Sequence, residues 1–149
     1  MVDIAPMERD ADGFEFALAV KKEAFGPHIM ERWGWDEALQ RKTHSERWEE
    51  KRFFRILLDG DSIGTVSIDE APDHLRVGEF YIFPSHHRQG IGGEILARIL
   101  RDADSKRLPV RLECLKWNPA LALYRRHGFV VTHDSETHLF MERMSPRSE

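Results

Sequence analysis

An α/β fold, a sheet carrying helices on both faces, is what this sequence predicts. Segments that alternate apolar and polar residues are interleaved with segments of helical periodicity. After a short first strand their order is two helices, three strands, helix, strand, helix and two strands. A glycine-rich turn, Arg88-Gln89-Gly90-Ile91-Gly92-Gly93, joins an extended segment ending at Pro84 to an amphipathic helix.

The elements follow in chain order. Residues 2–5 read as a first strand. Asp10 or Asp12 caps a helix with Phe14, Leu18 and Phe25 on one side, and Gly26-Pro27 ends it. A second helix starts near Asp36 and runs to about residue 48. Residues 53–58 and 63–68 are strands joined by the turn Asp59-Gly60-Asp61, and a third strand spans 75–83. Ile91, Ile95, Leu96, Ile99 and Leu100 form the apolar stripe of a helix over 91–103. Val110, Leu112 and Cys114 alternate with Arg111 and Glu113, a strand pattern. Asn118-Pro119 supplies an N-cap and a first-turn proline for a helix that Gly128 ends. Residues 129–132 and 137–144 close the chain as strands, and the tail 145–149 is expected to fray.

Glycines let a backbone turn its N–H groups toward a ligand, and a helix N-terminus adds unpaired donors and positive partial charge. The loop at 88–93 is therefore a phosphate site, best suited to the pyrophosphate of a cofactor. It is not a P-loop, because no Gly-Lys-Ser/Thr closes it. It is not a dinucleotide fingerprint, because Ile95 stands where a third glycine belongs and the loop lies mid-chain, after a run of hairpins.

Pro84, Arg88-Gln89-Gly90-Ile91-Gly92, Asn118, Tyr124 and Gly128-Phe129 together resemble the GNAT N-acetyltransferase superfamily, over most of the chain from about residue 63 to 144. The resemblance implies a mixed, mostly antiparallel sheet in a single domain over 1–144. It implies acetyl-CoA as acyl donor, a primary amine or peptide acceptor, and direct attack in a ternary complex, with no metal. In the family, the strand before the loop splays from its neighbour and pairs with the pantetheine arm, a role that maps to the backbone of Tyr81, Ile82 and Phe83. His87, Arg88, Gln89, Gly90, Ile91, Gly92 and Gly93 map to the pyrophosphate loop. His87 departs from the usual opening Gln or Arg. Asn118 maps to a contact with the cofactor arm and reads equally as a plain N-cap. Tyr124 maps to the general acid for the departing thiolate, against the alternative of a core tyrosine.

The base is open in sequence. Glu79, on the strand before the loop, is the first candidate, because a carboxylate near a sheet centre needs a partner or a task. An ion pair with a neighbouring arginine explains it equally, and His138 or a water relay are further options. Glu31, Trp33 and Trp35 are candidates to line the acceptor pocket, with hydrophobic anchoring as the other role for the tryptophans.

The 149 residues carry 22 Lys+Arg against 26 Asp+Glu, a net charge of −4, which disfavours nucleic-acid partners. No apolar run reaches the roughly 20 residues of a membrane span. The N-terminus has no basic-then-apolar signal pattern, and the single cysteine, Cys114, permits no internal disulfide, so the expected location is cytoplasmic. Family members often pair through the sheet, which makes a homodimer an expectation. The competing functional class is a non-catalytic acyl-CoA-binding or regulatory module on the same fold.

Overall fold

The computed structural model describes residues 1–146. Its elements are β1 (Val2–Pro6), α1 (Ala11–Trp33), α2 (Glu37–Glu50), β2 (Phe53–Leu58), β3 (Asp61–Glu70), β4 (Leu75–Ile82), α3 (Ile91–Ser105), β5 (Val110–Leu115), α4 (Leu121–Arg126), β6 (Val130–Asp134) and β7 (His138–Arg143). The strands form one sheet in the order β1-β2-β3-β4-β5-β7-β6. The pairs β1–β2, β2–β3, β5–β7 and β6–β7 are antiparallel, and β4–β5 is parallel. The sheet is thus mixed and mostly antiparallel, as expected. The chain forms two compact units, Met1–Ile68 with Glu79–Ile91, and Asp69–Gly78 with Gly92–Glu149.

In the first unit, Val20, Ile56 and Val66 are fully enclosed. Met7, Ala17, Trp48 and Phe53 form a second cluster with Phe14 and Phe16 against it. Asp10 caps α1 by accepting from the Gly13 N–H at 2.8 Å. The predicted stop at Gly26-Pro27 is wrong: α1 runs through both residues to Trp33 and ends at Gly34, whose φ is 73°. An interior proline costs about 3 kcal/mol. Burying Phe25 and Ile29 on either side of it returns roughly 1.5–3 kcal/mol each, which offsets that loss. Asp36 caps α2 through the Leu39 N–H at 3.1 Å, where the sequence placed the start.

In the second unit, Ile95, Leu96, Ile99, Leu100 and Ala103 of α3 are all buried. On β5, Val110, Leu112 and Cys114 are buried, while Arg111 pairs with Glu142 of β7 at 2.8 Å. Arg143 of β7 grips Asp104 of α3 with two hydrogen bonds, at 2.5 and 3.1 Å. The start of α4 also needs correcting. Asn118 does not cap the helix; its Oδ1 accepts from the Ala120 N–H at 2.8 Å, and regular helix begins at Leu121. The short side chain closes a local turn that competes with an earlier helix start. Gly128 has φ 91°, the left-handed exit that its position implied. Of the tail expected to fray, Ser145 is buried, and residues 147–149 lie outside the described residues.

Candidate functional site

Strand β4 ladders with β5 at Leu75↔Val110 and Arg76↔Arg111. It then runs on to Ile82. Within the first unit its final residues pack hard onto β3. A Cβ on Gly64 would sit 3.0 Å from the Ile82 Cα and closer still to the Tyr81 carbonyl oxygen. Only glycine allows that approach. The Tyr81 ring meets Phe25 at 5.6 Å, Phe83 meets Phe16 at 5.8 Å, and the Phe83 N–H donates to the Ile63 carbonyl at 2.9 Å. The three residues predicted to carry the cofactor arm are therefore held rigidly.

A short 3-10 turn, Pro84–His86, leads into the loop. His87 Nε2 lies 2.6 Å from the Ile82 carbonyl. A carbonyl only accepts, so Nε2 carries the proton and donates. This nitrogen ties the loop back to β4. Gln89 leans back too, its amide nitrogen 3.4 Å from the Ser85 carbonyl. Arg88 and Gly90 both have positive φ, 62° and 76°. Alternating backbone handedness of this kind turns successive N–H groups to one side, a concavity for anions. Arg88, Gln89 and Gly90 are exposed, and a Cβ on Gly90 would meet open space. Ile91 is buried and anchors the first turn of the 15-residue helix α3. Gly92 is half-buried. Gly93 has only ordinary contacts at 3.7 Å to Leu123 and His127, so close approach does not demand a glycine there.

Tyr124, on α4, is buried, with its ring 5.9 Å from Phe129 in an edge-on contact. Burial pushes its phenol well above the usual range, and the Cys114 thiol nearby adds to the rise. Tyr124 is therefore a neutral hydrogen-bond donor, and among the described residues nothing takes its proton in a hydrogen bond. Burial likewise raises the Cys114 thiol.

Glu79 lies in β4 with φ 46°, a left-handed position rare for a side-chain-bearing residue and costing about 1–3 kcal/mol. Its carbonyl accepts from Thr65 Oγ1 at 3.1 Å. Its buried carboxylate faces Arg47 at 3.4 Å and Lys51 at 3.8 Å, which realises the ion-pair alternative. Lys21 of α1, only 5% exposed, also feels Glu79, and burial pushes its ammonium down. Sequence reasoning missed Lys21, Arg47 and Lys51. Lys21 left a signal: it follows Ala17 and Leu18 and precedes Phe25 on the apolar side of α1. His138 on β7 is engaged by Thr137 Oγ1 at 2.8 Å.

Of the three acceptor-side candidates, Glu31 and Trp33 are exposed and Trp35 is half-buried. Glu31 is exposed and pairs with Arg32 at 3.8 Å, and Trp33 is 59% exposed. Trp35 is the anchor that was the other reading: its ring lies over Gly26, its Nε1 donates to Glu37 at 2.6 Å, and Lys22 sits 5.7 Å from its centroid.

Residues 13–129, a span that takes in most of α1, the glycine loop, Tyr124 and Phe129, match the model of the acetyltransferase (GNAT) family. The chain belongs to that family. It is an acetyltransferase, and its sheet and helices are those of the GNAT fold. A solved structure of the PaiA N-acetyltransferase from Thermoplasma acidophilum, in complex with coenzyme A, is similar at 16% identity. That match covers 97% of this chain and 99% of the other, with TM-score 0.77. The Escherichia coli ribosomal-protein-S18-alanine N-acetyltransferase is similar at 17% identity over 97% and 94%, with TM-score 0.70. A Pyrococcus horikoshii protein is similar at 18% over 97% and 98%, with TM-score 0.77. No protein of curated function matches the chain significantly. No helix among the described residues is long and apolar enough to cross a membrane.

Proposed function

We propose that this acetyltransferase takes acetyl-CoA as donor and moves the acetyl group to a primary amine by direct attack in a ternary complex. The observation that carries the reading is the exposed turn at 88–90, with Arg88 and Gly90 both left-handed, opening directly into a 15-residue helix. Its donors and open Gly90 suit a pyrophosphate: nothing fills the space beside the backbone, and N–H groups cost no reorganisation. Bound there, acetyl-CoA supplies an activated thioester.

The chain's own groups then divide the work. Loop amides from 88 to 93 and the Arg88 side chain hold the diphosphate. The backbone of Tyr81, Ile82 and Phe83, beyond the stretch where β4 ladders with β5, pairs with the pantetheine arm. An N–H there stabilises negative charge growing on the acyl oxygen. Asn118, with its Oδ1 already closing a turn, offers its amide N–H₂ to the arm. Tyr124 donates a hydrogen bond to the leaving sulfur. Its raised phenol favours donation over complete proton transfer to a thiolate whose reference pKa is about 8.5. Glu79 accepts the acceptor's proton, and because two cations already engage it, a water relays that proton. The reading of 1–144 as a single domain is supported by a family match that includes residues of both units.

The deciding experiment is free-thiol release from acetyl-CoA across a panel of amines, with calorimetry for CoA. Binding plus turnover that disappears in Tyr124→Phe supports the reading. Binding with no turnover on any amine favours the non-catalytic module, and no binding at millimolar CoA removes both.

A further inference from the structure

We infer that the acceptor amine also carries a carboxylate, and that Arg47 and Lys51 bind it beside Glu79. This rests on the acetyltransferase reading and on Glu79 facing the acceptor. Around the Glu79 carboxylate the first unit gathers three cations, Lys21, Arg47 and Lys51. One carboxylate cannot balance them. Both close contacts fall on the same oxygen, Oε1, at 3.4 and 3.8 Å, which is ion-pair range with no hydrogen bond formed. Lys21 is 5% exposed, and its ammonium is supported by the charge of Glu79 and opposed by those of Arg47 and Lys51. Three cations around one buried carboxylate leave this cluster short of negative charge, which a further anion relieves.

The solvent-facing members are Arg47 and Lys51, whose side chains are 39% and 25% exposed. The Arg47 guanidinium offers a planar fork of donors, a shape that matches a carboxylate with two parallel hydrogen bonds. An incoming polycation meets three like charges at Glu79, which works against it. An amine with its own carboxylate brings the missing anion and is drawn in. Amino acids and short peptides are therefore the acceptor class, and polyamines and aminoglycosides are rejected. The sequence alone left all of these open.

The test uses full-length protein saturated with CoA. Calorimetry compares L-glutamate, L-methionine, L-phenylalanine and a Gly-Gly dipeptide with their decarboxylated amines and with spermidine, and thiol release from acetyl-CoA is measured on the same panel. At least one carboxylate-bearing compound is expected to bind about 10-fold or more tightly than its decarboxylated counterpart, a difference of roughly 1.4 kcal/mol. Arg47→Met and, separately, Lys51→Met are expected to bring that ratio near one while CoA affinity stays within about 2-fold. A ratio near one in the wild-type protein, spermidine binding as tightly as the best carboxylate, or a preference surviving in both variants overturns the inference. If CoA binds and the ratio is one, only this inference falls. If CoA itself does not bind, the acetyl-transfer reading falls with it.

Discussion

Gly64→Ala tests the strand on which the cofactor reading depends. An added methyl would stand 3.0 Å from Ile82 Cα and 3.2 Å from Ile82 Cγ1, and closer still to the Tyr81 carbonyl oxygen. Carbon atoms rest at roughly 3.5–4.0 Å, so β3 and β4 must part by at least about 0.5 Å here. The obstacle is backbone and not a flexible side-chain tip, so rotamer changes cannot relieve it. Overpacking of this kind costs about 1–3 kcal/mol. In a chain of this size each kcal/mol lowers Tm by about 2–4 °C, so a fall of roughly 2–12 °C is expected by calorimetry or circular dichroism. The same shift moves the backbone of Tyr81 and Ile82, so coenzyme A affinity should drop about 10-fold, or about 1.4 kcal/mol, even well below the melting transition. A variant that melts within 1 °C of the parent and binds coenzyme A equally well would refute both the tight approach and the role of this strand.

Tyr124→Phe keeps the contact with Phe129 and removes a hydroxyl that has no hydrogen-bond partner among the described residues. Steady-state assays should show kcat down by about 10²-fold with the acetyl-CoA KM little changed, and a parental kcat would reduce Tyr124 to a core residue. Gly90→Ala forces an L-residue to hold φ 76° at a cost of about 1–2 kcal/mol, although the space is open; coenzyme A affinity by calorimetry should weaken about 10-fold, and unchanged affinity would remove the loop from the site. His44 is buried with Nε2 3.0 Å from the Phe14 carbonyl, and burial lowers its pKa from 6.5. Below about pH 6.5 the unfolded chain takes up a proton that the folded chain refuses, so stability falls with acidification by at most about 1.4 kcal/mol per pH unit. Thermal melts between pH 7.5 and 5 should show His44→Gln losing less than the parent, and identical slopes would contradict the assignment.

The order of elements was legible because each carries a local signature that burial reinforces. The α3 stripe from Ile91 to Leu100 and the alternation of Val110, Leu112 and Cys114 are both wholly buried. The misplaced ends lie where a tertiary effect outweighs a local signal. Phe25 and Ile29 carry α1 past Pro27, and the Asn118 side chain spends itself on a turn ahead of α4. At the site, the glycine loop was legible because backbone conformation there depends on residue type. The left-handed Glu79 was not, since position 79 itself is not a glycine, and neither were its cation partners, which come from α1, from α2 and from the residue that follows α2, 58, 32 and 28 positions earlier in the chain. The drawing of His87 onto the Ile82 carbonyl depends on a bend that the residue names do not reveal.

The burial of Cys114 bears on how this enzyme is measured. It is the chain's only sulfhydryl, and its surroundings hold it protonated, so it reacts slowly with chromogenic thiol reagents. Colour developing in a native reaction mixture therefore counts liberated coenzyme alone. Adding denaturant afterwards releases one further equivalent per chain, which titrates the enzyme in the same cuvette.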